Sequence, residues 1–323
     1  MAGSEKNYNP DADSAGLIAP DALSNCQCCP RNCEAARTEQ ELGWCRVDDK
    51  LYISSICAHH GEEPVLSGTN GICNIFFSHC NMQCIYCQNY QISDNRLDVA
   101  ADEMSLEVIA DRIENILSHG AKGVGFVSPS HFVPQMRWIM SALSARGHNP
   151  TYVYNTNGYD KLDSIVSLRD EIDVYLPDFK YMESRLAAEY SATPLYSEIA
   201  GPAIREMYRQ KGADLRLDND GLVNSGLIIR HLVLPGHVEN SKSVLKYIAE
   251  ELSPDVYISL MSQYYPTVRV ADHHALGRTL RAEEYEEVLD EFERLGFHRG
   301  FVQELNSPHH YRPDFMKDDP FNN

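Results

Sequence analysis

Hydrophobic positions along this chain follow two alternating rhythms. Six short apolar runs, at 72–77, 123–127, 151–154, 172–176, 227–234 and 256–260, are rich in β-branched and aromatic residues, as strands buried on both faces should be. Between them the apolar spacing changes to three and four. Ser105 precedes Leu106, Ile109, Ile113 and Leu117, with Gly120 beyond; Pro134 opens a stretch carrying Met136, Ile139, Met140 and Leu143 before Gly147. Asn240 precedes Val244, Leu245 and Ile248, and a last stripe of Tyr285, Val288, Leu289, Phe292 and Leu295 ends at Gly296. A polar cap before the stripe, Pro in its first turn and Gly past its end are helix boundaries. The stripes themselves read as core. Strands alternating with helices predict an α/β fold with a parallel sheet and right-handed crossovers, either doubly wound or a partial barrel. Both place a site in the loops at the carboxyl ends of the strands.

Three regions follow from this pattern. Residues 1–25 mix Gly, Pro, Asp and Asn without periodicity and read as a loose arm; 26–66 form a cysteine-rich segment; 67–323 carry the α/β domain. Of 323 residues 43% are hydrophobic and 23% charged, a globular composition. The 28 basic side chains against 47 acidic ones leave a net charge of −19, which repels phosphate backbones and anionic lipid and argues against nucleic-acid or membrane-surface partners. No apolar run reaches the roughly 20 residues of a membrane helix, and the polar, acidic first residues lack a signal-peptide pattern. A cytoplasmic protein is expected.

All ten cysteines lie at or before Cys87. In a reducing compartment clustered thiols are metal ligands or redox groups. Cys80, Cys84 and Cys87 have the spacing CxxxCxxC with Tyr86 before the last, directly after the first apolar run. Soft thiolates select iron–sulfur clusters, zinc or copper(I). Three are one fewer than a closed zinc site or a four-cysteine cluster needs, so a [4Fe–4S] cluster held here keeps one iron open; a zinc knuckle completed by His79 or Cys73 is the structural alternative. Further upstream, Cys26, Cys29 and Cys33 in CxxCPRxC, followed by Cys45, supply four thiols within 20 residues. Zinc, a second iron–sulfur cluster and unmetallated thiols all fit that spacing. A second cluster points to an electron relay, zinc to a docking module. GxGxxG, GxxxxGK[ST] and GxSxG motifs are absent, which removes support from nucleotide-fold and serine-hydrolase readings.

The CxxxCxxC loop after a first strand resembles that of the radical S-adenosylmethionine (SAM) superfamily, and the CxxCPRxC segment resembles a branch related to pyruvate formate-lyase activating enzyme. The resemblance implies a partial (β/α)6 barrel of the TIM type. It also implies a [4Fe–4S] cluster on Cys80, Cys84 and Cys87 whose open iron chelates SAM. One-electron reduction then yields methionine and a 5′-deoxyadenosyl radical. A flavodoxin or ferredoxin would supply the electron, and a glycyl radical enzyme would be the protein substrate; modification of a peptide or small metabolite is the alternative. A non-catalytic zinc or iron–sulfur docking module is the reading from another class. By resemblance, SAM contacts fall to Tyr86, to Ser128 and Ser130 where many relatives carry Gly-Gly-Glu, and to Asn155 and Asn157 of Asn-Thr-Asn-Gly. They also fall to Lys180 of Asp-Phe-Lys and to Arg230. Asn155 stands where the activating enzyme has Asp, which weakens a cation site there.

Overall fold

A computed structural model describes residues 20–305, 312–317 and 319–321; up to residue 19, the arm expected at the amino end lies outside them. The strands are β1 (Ile53–His59), β2 (Ile72–Phe77), β3 (Gly123–Val127), β4 (Thr151–Thr156), β5 (Val174–Pro177), β6 (Arg216–Leu217), β7 (Val223–Leu232), β8 (Tyr257–Met261) and β9 (Gly300–Val302). The helices are α1 (Pro64–Ser67), α2 (Tyr90–Ser93), α3 (Leu106–Ser118), α4 (Val133–Ala145), α5 (Leu162–Ser167), α6 (Ser184–Ser191), α7 (Tyr196–Lys211), α8 (Val238–Glu251) and α9 (Ala282–Arg294). The sheet order is β1-β2-β3-β4-β5-β7-β8-β9, with β6 paired to β7. From β2 onward neighbours along this path are parallel, whereas β1 runs antiparallel to β2.

The six expected runs are β2, β3, β4, β5, β7 and β8. Three strands were not legible, among them β6 with only two residues. β1 lies inside the cysteine-rich segment and alternates buried with half-buried positions, the pattern of a strand with one covered face. β9 has three residues, too few to show a period. Ser105 caps α3 as expected, its Oγ accepting from Val108 N at 3.3 Å; Asn240 does not cap α8, which begins earlier at Val238, and its side chain instead binds the backbone of Lys180, Met182 and Glu183.

Among the described residues no pairing joins β1 to β9, so the sheet is a partial barrel and not a closed one. Its curl is evident from one cavity of about 290 Å³, touched by residues on or just after β1, β2, β3, β4, β5, β7, β8 and β9. Outside the sheet, Ile109, Ile113, Met136, Ile139, Val244, Ile248 and Val288 of the helices join Cys73, Ile75, Phe77, Phe126, Tyr154, Ile229 and Leu260 of the strands in one buried apolar layer. Each such side chain, fully buried, contributes about 1.5–3 kcal/mol. Inside, Ile72, Val153, Val174, Leu176 and Ile228 meet Leu66 of α1 and close the amino ends of the strands. Strand side chains repeat every two residues. Two positions beyond this apolar layer come Asn74, Asn155, Asp178 and Arg230, which form the polar layer above it. Register brings them side by side: Val127 pairs with Asn155, Asp178 bridges Arg230, and Arg230 pairs with Ser259.

Candidate active site

The loop after β2 carries the three closely spaced cysteines, and all three line the cavity. Its backbone is pinned to the end of α6, where Gln83 N and Ile85 N donate to the carbonyls of Ser191 and Tyr190 at 3.3 and 2.8 Å. Each sulfur receives a donor from the surrounding chain. Cys80 Sγ accepts from Met82 N and Asn157 Nδ2, both at 3.4 Å; Cys84 Sγ accepts from Ser191 Oγ at 3.0 Å; Cys87 Sγ accepts from Ser93 Oγ at 3.2 Å. Tyr86 OH lies 2.6 Å from Tyr181 OH, which lies 2.7 Å from Ser191 Oγ. Because the single proton of Ser191 points to sulfur, Tyr181 must donate to Ser191 and Tyr86 to Tyr181. Three hydroxyls thus form a relay toward Cys84.

Burial pushes the Cys80 thiol up to about 12 and the Cys84 thiol up to about 11, so these sulfurs become thiolates when a cation arrives to stabilise them. Among the described residues no group of three or more His, Cys, Asp or Glu side chains is arranged to hold a metal ion. A polynuclear cluster makes a different demand, with one thiolate on each of several irons. Three thiols opening into one cavity, each with a hydrogen-bond donor on its sulfur, fit that demand.

Facing the thiols is a chain of buried charges. Lys180 Nζ pairs with Asp178 Oδ2 at 2.6 Å. Arg230 reaches Asp178 Oδ1 at 3.1 Å, Glu62 Oε2 at 3.0 Å and Asn155 Oδ1 at 2.6 Å. Burial opposes the charge on both cations, but their anionic neighbours together offset it, Asp178 foremost, with Cys84 at Lys180 and with Glu62 and Glu63 at Arg230, and both pKa values are raised. Asp178 shows the converse: burial would raise its carboxyl, and Lys180 and Arg230 hold it below its ordinary value. Gly158 permits the close fit of the β4 loop, since its φ is +80° and a Cβ there would stand 2.2 Å from the Asp178 carbonyl oxygen.

Of the SAM contacts expected by resemblance, the structure brings Tyr86, Ser128, Asn155, Asn157, Lys180 and Arg230 to the cavity wall. Ser130 is buried behind it, its Oγ 3.4 Å from Thr156 Oγ1. Glu62 and Glu63 carry no motif and were not legible; they reach the cavity because the β1–α1 loop turns under the sheet. Ser191 and Ser93 were also missed, since a donor to sulfur supplied from a distant element leaves no spacing in the sequence.

The upstream cysteines sit against the loop that carries Cys80, Cys84 and Cys87. Cys26, Cys29 and Cys45 are buried and Cys33 is exposed. Cys45 O lies 2.8 Å from His79 Nδ1. Arg31, stacked 3.9 Å from the Trp44 ring, donates to Asn81 O at 2.8 Å. Arg37 is fully buried; it donates twice to Asp48 O and once to His131 O, with Cys26 Sγ at 3.8 Å. The hydrogen bond from Cys28 outweighs burial and, with Arg37, holds the Cys26 thiol down to about 5.

The geometry defines the class: an α/β protein with an open parallel barrel and a thiol-bearing cavity at the carboxyl ends of its strands. No protein-family model matches the chain. It is 28% identical over 277 residues to an uncharacterised protein of Methanocaldococcus jannaschii, covering 84% of this chain and 75% of that one. Among solved structures it is similar to a domain of a pyruvate-formate lyase-activating enzyme from Bacteroides vulgatus (TM-score 0.37, 13% identity, 53% of this chain and 93% of that one). It is also similar to anSMEcpe with bound AdoMet (TM-score 0.49, 13% identity, 70% of this chain and 61% of that one). A spore photoproduct lyase is a third (TM-score 0.41, 14% identity, 70% and 74%). No helix among the described residues is long and apolar enough to cross a membrane.

Proposed function

We propose that this chain is a radical SAM enzyme. The observation that carries the reading is the opening of Cys80, Cys84 and Cys87 into one cavity whose wall presents Asn155, Asn157, Lys180 and Arg230. Cys80, Cys84 and Cys87 would hold a [4Fe–4S] cluster, which would offer SAM an open iron and would pass on one electron from an external donor for cleavage of the sulfur–C5′ bond. The chain's own part is binding and orientation. Lys180 and Arg230, each kept charged by Asp178, offer cations to the SAM carboxylate. Asn157 spans from Cys80 Sγ to Asn81 Oδ1 and fixes the β4 loop against the thiols. Tyr86, Tyr181 and Ser191 hold their protons toward the Cys84 sulfur. Phe76, Phe77 and Met82 wall the cavity and exclude water. Cys26, Cys29, Cys33 and Cys45 form a second metal or cluster site in this reading, and a flavodoxin or ferredoxin is the electron donor it requires.

Two substrate readings follow. Resemblance to the activating enzyme supports a backbone glycine of a glycyl radical enzyme, which would leave a glycyl signal in electron paramagnetic resonance after co-incubation. Pro313 and Phe321 line the cavity, with Phe321 3.9 Å from His59 and 5.6 Å from Phe76; chain packed there narrows the side access and favours a small molecule. The first test is anaerobic reconstitution, reduction and addition of SAM. About four irons per chain with 5′-deoxyadenosine formed is the expected result, and about eight would place a second cluster upstream. Zinc at both cysteine groups with no deoxyadenosine would overturn the reading in favour of a non-catalytic module.

A further inference from the structure

The floor of the cavity holds polar atoms that the proposed SAM contacts leave unused. Glu63 and His59 both line it and are 8% and 7% exposed. Among the described residues neither Glu63 Oε2 nor His59 Nδ1 has a hydrogen-bond partner. A buried polar atom left bare costs on the order of 1–3 kcal/mol, so each of these calls for a partner that a ligand can bring. They stand apart from the cluster end. His59 pairs with Ile72 at the start of β2, whereas the cysteine loop follows the end of that strand.

Charge decides what the partner must be. Three carboxyl groups and two cations line the cavity. Lys180 pairs with Asp178, and Arg230 with Asp178 and Glu62. Glu63 is the carboxyl with no direct ion pair: burial raises its pKa while Arg230 nearby and a hydrogen bond from Ser259 on β8 act against that, so an arriving ammonium would favour its charged form. Beside His59 the ring of Phe321, at 3.9 Å, and that of Phe76 behind it give an apolar wall to the same cavity.

We infer that Glu63 and His59 form a recognition pair for a small substrate bearing an ammonium group beside an apolar body, the ammonium on Glu63 and the body against Phe76 and Phe321. This rests on the cavity being the active site of a SAM-cleaving enzyme, and it names the substrate class of that site. His59 Nδ1 takes a second polar atom of the same ligand.

The test is equilibrium binding to the full chain, with and without reconstituted cluster. Phenethylamine is the probe and 2-phenylethanol its uncharged counterpart. Wild type should bind the amine at least about tenfold more tightly than the alcohol. Glu63→Gln should lose that preference, and Glu63→Asp should recover part of it. Unliganded melting curves matching wild type verify folding; should Glu63→Gln fail to fold, Glu63→Asp and Ser259→Ala carry the test through weakened preference. Equal affinity for the two probes, no amine binding in the millimolar range, or an unchanged preference in the variants would overturn the pair. Binding needs neither cluster nor SAM, so such a failure leaves SAM cleavage standing, whereas absence of deoxyadenosine with the amine preference intact would sink the enzymatic reading and leave an amine-binding site that is not a substrate site.

Discussion

The two cysteine groups use the same residue at similar spacing in opposite surroundings. In the cluster loop, Cys80, Cys84 and Cys87 face a cavity, and the nearby cation Lys180 is matched by Asp178 at 2.6 Å. In the upstream group the cation is Arg37, fully buried, and among the described residues no carboxylate pairs with it. Its charge is answered by backbone carbonyls and by the sulfur of Cys26 at 3.8 Å. An unpaired buried charge is costly, so the upstream group needs anionic sulfur to be stable, whereas the cluster loop is balanced without it. One group opens into the cavity, whereas the other, Cys33 apart, lies buried around a guanidinium that holds the amino-terminal segment against the barrel.

Exchanging the lesions breaks that comparison most sharply. Cys84→Ala should lower SAM cleavage by at least about a thousandfold, because no other thiol lines the cavity at that position. With a chemical reductant supplying electrons, Cys29→Ala should stay within about tenfold of wild type. Deoxyadenosine assays on both variants decide it; equal losses would merge the two groups into one catalytic unit.

Arg37→Leu acts on stability instead. It strands the carbonyls of Asp48 and His131 and removes the countercharge beside Cys26, at a cost of about 3–5 kcal/mol. Denaturant titration measures it. A cost near zero would mean that the thiols do not rely on the guanidinium.

Each region also holds a neutral buried histidine. Burial pushes His131, beside Arg37, down to about 3, and His231, beneath Lys180, down to about 4. An unfolded imidazole protonates near 6.5, so between that pH and about 4 the unfolded chain binds protons the folded chain refuses. Stability from these two groups is therefore complete above about pH 6.5 and lost as pH falls, by roughly 3 kcal/mol each at pH 4. His231→Gln should flatten that part of the stability–pH curve; an unaltered slope would show that the ring is not held neutral.

These contrasts show why some of the molecule was legible beforehand. Cys80, Cys84 and Cys87 sit on consecutive turns of one loop, so their chemistry is written as spacing, and the parallel strands are written as apolar runs. Glu62 is different. It meets Asn74, Asn155 and Arg230 only because the sheet curls, and nothing local marks it. Ser130 illustrates the reverse: its motif neighbours suggest a cavity residue, but the turn at Ser128, with φ +53°, directs Ser128 to the cavity and Ser130 behind it. Pairing across a fold is set by register and curvature, which a linear pattern does not contain.

The smallest expected effect isolates the cluster loop from its setting. Ser191→Ala removes the one hydroxyl on the Cys84 sulfur and cuts Tyr181 and Tyr86 off from it, without touching a thiol. Hydrogen bonds to cluster sulfurs favour the more negative, reduced state. Their loss should shift the midpoint potential downward by on the order of tens of mV, with iron content unchanged. Potentiometric titration followed by electron paramagnetic resonance reads the shift. Tyr86→Phe lies two hydroxyls further out and should move the potential in the same direction by less. If Tyr86→Phe instead moved it as far as Ser191→Ala, the relay would be transmitting its polarisation undiminished, and the cavity-facing tyrosine would be as much a part of the sulfur's environment as the serine that touches it.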